Sequence, residues 1–285
     1  MTLSTKKTYP IVFILLLGLI TLSSCEHQRN NGEAEAKELL DEAEIRINAD
    51  DFDYARVLID SLRNTYPRAF ETRRRSINVL NELEVKETEH KAIAQGKVME
   101  KLDSELSEIK KDFILEKDER YQEVGFYKAK KQQASSLHRT CLYAEVDENG
   151  QLFLISVLTG KKISHDRIIV EVQGEEKRES AKCLSFLIDK SSGNEEQATF
   201  KKYAEDNGII NFIAENANKN IFITCEGQKG SHKYQLSKTD AQAILQCNKL
   251  ETAMQQRLKI KNDIDSLNIR NRFYKKKQEI DESKE

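Results

Sequence analysis

Two hydrophobic periods alternate along this chain. From residue 34 to residue 117 apolar residues recur every three or four positions, the spacing of helices that bury one face. Leu39, Leu40, Ala43 and Ile47 form a first stripe, and Ala55, Leu58, Ile59 and Leu62 a second. Ala49-Asp50-Asp51 separates the two, Asp51 or Asp53 offers a cap, and Pro67 must end the second helix. The spacing therefore predicts a helical hairpin over 34–67. A single long helix is predicted over 71–117, because Val85, Ala92, Met99, Leu102, Leu106, Ile109 and Phe113 follow a coiled-coil seam. Thr88 and Gln95 also fall on that seam, and Gly96 beside it costs about 1 kcal/mol against alanine.

The period shortens near Thr140. Strands are predicted at 140–146, 151–158, 167–172, 182–188, 209–214, 221–225 and 233–236. Asp147-Glu148-Asn149-Gly150 joins the first two, and Asn-Gly between apolar runs signals a hairpin whose turn residues accept positive φ. The predicted product is a small all-β domain over 138–236, a sandwich or barrel, with 116–133 as an irregular connector. Helical spacing returns at Ser237, where Ser237-Lys238-Thr239-Asp240 is close to a capping box. Ala243, Cys247, Leu250, Met254, Leu258, Ile264, Leu267 and Tyr274 then mark a second long helix over 237–281. Two long helices of nearly equal length flank one β segment. The expected fold class is thus α+β: an N-terminal helical hairpin, a long antiparallel coiled-coil stalk about 65–70 Å long, and an inserted small all-β domain. In that arrangement Ser237 lies beside 113–117 and Ile280 beside Arg73–Arg75.

Composition narrows the function classes. The chain is 33% charged with a formal charge of −2, and its acids and bases are closely mixed. A nucleic-acid partner would call for a basic excess, so none is expected.

The N-terminus is of a different kind. Lys6 and Lys7 precede an apolar run from Ile11 to Ile20, and Leu22-Ser23-Ser24-Cys25 follows. The run is shorter than the roughly 20 residues of a membrane span and has the layout of a secretory signal. Leu-Ser-Ser-Cys resembles the lipobox of bacterial lipoproteins. The resemblance implies a signal peptide over 1–24, cleavage before Cys25, a diacylglyceryl thioether on its sulfur, and a lipidated tether over 25–33. Two or three acyl chains hold a protein where one does not. Glu26 stands after the cysteine rather than the aspartate associated with inner-membrane retention. The expected address is therefore the outer membrane, on its periplasmic face or at the cell surface. The hairpin also resembles one tetratricopeptide repeat, through Ala43, Phe52, Ala55 and Pro67, although Glu42 and Arg46 stand at apolar positions of that pattern. One repeat cannot form the stacked peptide groove of such arrays.

Candidate chemistry is sparse. There is no Gly-x-Ser-x-Gly, His-Glu-x-x-His, phosphate-binding glycine loop or EF-hand spacing. His27, His90, His138, His165 and His232 each stand alone, and a metal site from His138, Cys141 and His165 or His232 lacks ligand spacing. No catalytic residue, metal or cofactor is expected. Glu175-Glu176 and Glu195-Glu196 read as solvated loops. Cys141, Cys183, Cys225 and Cys247 could form two disulfides in three connectivities, and buried apolar thiols are the preferred reading. Two basic clusters are candidate membrane or partner contacts: Arg73, Arg74 and Arg75, and Arg270, Arg272, Lys275, Lys276 and Lys277.

Together these features predict a non-enzymatic, lipid-anchored cell-envelope protein with a structural or protein-binding role. Its partners would be the membrane, through the anchor, and an envelope protein. The alternative is a module whose β domain binds a glycan, lipid or small molecule in a pocket. An enzyme ranks third, since no nucleophile–base arrangement is visible.

Overall fold

A computed structural model describes residues 32–133, 139–173, 177–183, 185–190 and 193–282. The predicted signal peptide, Cys25, His27 and His138 lie outside the described residues. The chain divides into a helical unit, running to Gln95 and including Ile264–Glu285, and a sheet-rich unit over Gly96–Asp263.

The helical unit starts with α1 (Glu33–Asn48) and α2 (Phe52–Thr65), which pack on the first turns of α3 (Phe70–Lys110). Ala36, Leu40, Ala43 and Ile47 supply one face, Phe52, Ala55, Leu58, Ile59 and Leu62 the next, and Val79 and Leu83 the third. Asp51 precedes α2 without capping it through its side chain. The start of α3 is instead served by Glu33, whose carboxylate accepts the Thr72 amide at 2.6 Å and the Thr72 hydroxyl at 2.7 Å. Arg56 then ties α2 to α3, donating to Glu84 and Glu87 at 2.7 Å each.

The sheet-rich unit contains β1 (Phe113–Glu116), β2 (Phe126–Ala129), α4 (Lys130–Gln133), β3 (Cys141–Asp147) and β4 (Leu152–Thr159). It continues with β5 (His165–Val172), β6 (Arg178–Glu179), β7 (Ser185–Lys190), β8 (Gly193–Lys201), α5 (Ile209–Glu215), β9 (Ile221–Gly227) and β10 (Gly230–Gln235). The last helix, α6 (Lys238–Glu282), starts in this unit. The strands form two antiparallel sheets, in the orders β1-β2-β3-β4-β8-β7 and β10-β9-β5-β6. Leu142, Ala144 and Val146 of β3 face the core with Leu152, Leu154 and Leu158 of β4 and Ala198 and Phe200 of β8. The second sheet adds Ile168, Val170, Ile221 and Ile223, and the helices add Ile209, Ile213, Ile244, Cys247 and Leu250. Each fully buried Leu or Ile stabilises by about 1.5–3 kcal/mol, whereas exposed ion pairs such as Lys111–Glu108 contribute about 0–1 kcal/mol. The apolar core therefore holds this unit.

Several expectations are corrected. The antiparallel coiled-coil stalk is not what the structure shows. A coiled coil buries its seam between the helices, yet Ala92, Met99 and Leu102 of α3 and Ile264, Leu267 and Tyr274 of α6 stay partly exposed. Of the buried seam positions, Leu106, Ala243, Cys247 and Leu250 join the core of the sheet-rich unit, while Val85 and Thr88 are buried in the helical unit. Where α3 and α6 meet in the helical unit, the recorded contacts are polar. Arg270 donates to Glu84 at 2.8 Å, Asn271 to Val85 O and Thr88 Oγ1 at 3.0 Å each, and Lys275 pairs with Glu89 at 2.7 Å. The first long helix also ends at Lys110, and Phe113 opens β1.

The domain expected to be all-β carries helices, and its first sheet begins before residue 138, with β1 and β2. Residues 209–214 are helical rather than extended: α5 starts after Gly208 at a φ of 80°, and Asp206 accepts the Ile210 amide at 3.3 Å. Glu195 and Glu196 lie buried on β8 rather than in a solvated loop. The β3–β4 connection is a three-residue loop in which Gly150 alone has positive φ, at 82°. Gly150 N–H bonds Asp147 O at 3.0 Å and Asp147 N–H bonds Gln151 O at 2.9 Å, a turn closed by a glycine bulge.

Candidate functional site

An open groove of about 660 Å³ lies on the sheet-rich unit between the end of α3, the middle of α6 and the β3–β4 loop. Its floor is apolar. Leu106 is buried, Met254 is half-buried, and Leu258 remains 44% exposed at the mouth. Gly150 brings the loop against α6: a Cβ there would lie 3.1 Å from Met254 Cβ, and Gln255 Nε2 donates to Gly150 O at 2.7 Å.

The walls carry charge of both signs. Asp103 pairs with Arg257 across the helices at 2.5 Å. Glu148 accepts from Lys117 at 2.8 Å and from the Gly125 amide at 2.7 Å, and these two bonds hold its carboxyl below the usual range. Lys110 donates to Tyr127 OH at 3.0 Å, with its ammonium 4.6 Å from the Tyr127 ring centroid. Among the described residues no acid is bonded to Lys110 or Lys261, so both leave positive charge facing the groove. An anionic group flanked by apolar side chains fits this arrangement.

A buried polar pair lies deeper in the unit. His165 starts β5 at a bulge, after Ser164 at a φ of +55°. Glu196 holds this strained backbone: it accepts the Ser164 amide at 2.9 Å, the His165 amide at 3.1 Å, and His165 Nδ1, the tautomer being assigned from the hydrogen bonding, at 3.1 Å. Gly227 closes on the same corner, where a Cβ would meet Ile163 O and Ser164 O. Burial pushes the Glu196 carboxyl upward, but the two amides and the ring outweigh it and hold its pKa below the ordinary 4.5. A carboxylate lowered in the folded state adds stability above its unfolded pKa and loses it as pH falls through the folded value. Glu196→Leu leaves two buried amides without an acceptor. We expect it to cost about 2–4 kcal/mol in denaturant unfolding at neutral pH. The variant's deficit should shrink below pH 4.5, and an unchanged deficit at low pH would contradict this role.

The predicted contact residues divide in two. Arg73 donates to Arg63 O, Arg75 to Glu44, Arg270 to Glu84 and Lys275 to Glu89, so these four serve the helical unit's own structure. Arg74, Lys276 and Lys277 are exposed, and Arg272 is exposed with a single bond to Asn268 O of its own helix. Arg270 meets α3 nine residues beyond Arg75, about 13 Å or two and a half turns along the helix, so the two basic clusters do not meet at one tip. Cys25 lies outside the described residues.

No three His, Cys, Asp or Glu side chains gather as metal ligands among the described residues. Cys141, Cys183, Cys225 and Cys247 are free thiols. Burial pushes the first three up to about 11 and Cys247 to about 12, so all four are protonated at neutral pH. His232 lies on β10 beside Lys161, and burial together with that ammonium lowers its pKa. His90, on α3, packs its ring against Phe52 of α2. No described helix is long and apolar enough to cross a membrane. Comparison with protein-family models, curated proteins and solved structures finds no match to this chain.

Sequence spacing gives no sign of the groove. Its apolar residues are Leu106, Met254 and Leu258, whose spacing assigns them to coiled-coil seams. Three distant segments build it, and no local pattern marks it. Glu196 did have a signal: Ala198 and Phe200, two apart after Glu195-Glu196, are the spacing of a half-buried strand.

Proposed function

We propose that this chain is a lipid-anchored cell-envelope protein that binds another envelope protein through the groove of its sheet-rich unit. The observation that carries the reading is the groove: an apolar floor open to solvent, flanked by two lysines with no acid bonded to either among the described residues. A partner segment with apolar side chains and a carboxylate complements it. The anchor rests on Leu22-Ser23-Ser24-Cys25, and the preferred address is the outer membrane. The titratable groups of the interior support binding over catalysis. Glu196 is occupied with the β5 bulge, and every described thiol is held protonated. An open groove suits a peptide segment better than a small molecule, which is usually enclosed on most sides.

Cross-linking in intact cells tests the reading. Leu258 and Lys261 are exposed, so Leu258→Glu and Lys261→Glu leave the core intact. Burying an apolar anchor is worth about 1.4 kcal/mol or more at an interface, so each variant should lower capture of the partner about tenfold. Capture at the parental level by both variants would contradict the groove as the binding surface.

A further inference from the structure

In the helical unit, α6 turns one side toward α3 and the other to solvent. Arg270, Asn271 and Lys275 reach inward to Glu84, Val85, Thr88 and Glu89. The opposite side carries Ile269, Phe273 and Ile280, exposed to 60%, 62% and 44%. At about 100° per residue these three fall within a stripe about 40° wide. Arg272, Lys276 and Lys277 flank it on both sides, and none bonds an acid among the described residues. Glu279 stands at one edge.

A soluble helix turns polar side chains to water and keeps bulky apolar ones inward. Here the solvent side has a narrow apolar ridge between cations. That is the pattern of a helix lying in a membrane interface, with its apolar edge among the acyl chains and its cations at headgroup level. Three long basic side chains can reach the phosphates while their methylene stems cover the ridge. A convex ridge with cations on both sides is complementary to a fluid anionic surface.

We infer that the outward face of the last turns of α6 is a membrane-surface contact that takes the anionic headgroups of a phospholipid bilayer. The inference rests on the proposed anchor only in that the acyl chains bring the helix to the bilayer. The second contact would hold the helical unit against the surface. A single lipid attachment leaves a protein free to swing on its tether.

The sequence contains no tryptophan, so Phe273→Trp places the chain's sole indole on the ridge. The full chain is purified from cell membranes and reconstituted into phosphatidylcholine vesicles, with and without phosphatidylglycerol. Brominated lipids then report whether the introduced indole enters the interface. With phosphatidylglycerol the emission should shift to the blue and fall about twofold or more on bromination, with little change in its absence. Neutralising the flanks by Arg272→Gln, Lys276→Gln and Lys277→Gln should remove the quenching. A Tyr203→Trp reference, at a position 73% exposed in the sheet-rich unit, should stay unquenched. Absence of quenching in the Phe273→Trp chain overturns the inference, as does equal quenching without anionic lipid or after neutralisation. Protection of the same indole by a co-purified acidic protein would overturn it too. The mass of the same preparation reports acylation of Cys25 separately. An unacylated chain would sink the anchor reading while added vesicles still judge the α6 face.

Discussion

Lys202→Met should lower the unfolding temperature of the sheet-rich unit by about 10 °C, the largest single-site loss expected in the described residues. Lys202 follows β8 and is 2% exposed at its side chain; Glu251, on α6, is 1% exposed. Their ion pair measures 2.5 Å, and the same ammonium donates to Asn248 Oδ1 at 2.7 Å. The contact fastens the long helix to the end of the central sheet. Removing the lysine leaves a carboxylate buried without a bonded cation, at a cost of about 3–5 kcal/mol. For a unit of this size each kcal/mol shifts the midpoint by about 2–4 °C. A well-packed apolar pair removes both desolvation costs, so Lys202→Met with Glu251→Leu should recover most of the loss. Thermal unfolding followed by circular dichroism checks both. A single variant within about 2 °C of the parent would show that water reaches Glu251.

Cys25→Ala should abolish the proposed lipid attachment. The proposed thioether needs the cysteine sulfur, and no other residue of Leu22-Ser23-Ser24-Cys25 supplies a thiol. The variant should incorporate no labelled fatty acid. Mass spectrometry of the parent should show a chain beginning at Cys25 with two or three acyl groups. A parent chain that begins elsewhere, or carries no acyl mass, would contradict the proposed anchor and the outer-membrane address with it.

Much of the secondary structure was legible because it rests on local periodicity. The stripe Leu40–Ala43–Ile47 and the stripe Ala55–Leu58–Ile59–Leu62 coincide with the buried faces of α1 and α2. Leu152 to Leu158, apolar on both faces in the sequence, is β4, paired between β3 and β8. What failed was the assignment of burial to a partner. Leu106, Cys247 and Leu250 keep helical spacing whether they face another helix or a sheet, and periodicity alone does not tell the two apart. The run from Ile209 to Ala214 is apolar enough for a strand or a buried helix, and periodicity over six residues does not separate the two. Phe113 to Glu116 was absorbed into the preceding helix, since four residues are too few to show a period of two. The candidate groove was not legible at all, because its parts converge only once α6 packs beside the β3–β4 loop.

The most direct test of the account is a photo-activatable residue placed at Leu258, in the mouth of the groove, in the full chain in living cells, with the same residue at Tyr203 as reference. Binding through the groove predicts one discrete adduct with an envelope protein at position 258, lost on Lys261→Glu, and none at position 203. Adducts at neither position, or equal adducts at both, would contradict the groove as a specific binding surface and with it the proposed function.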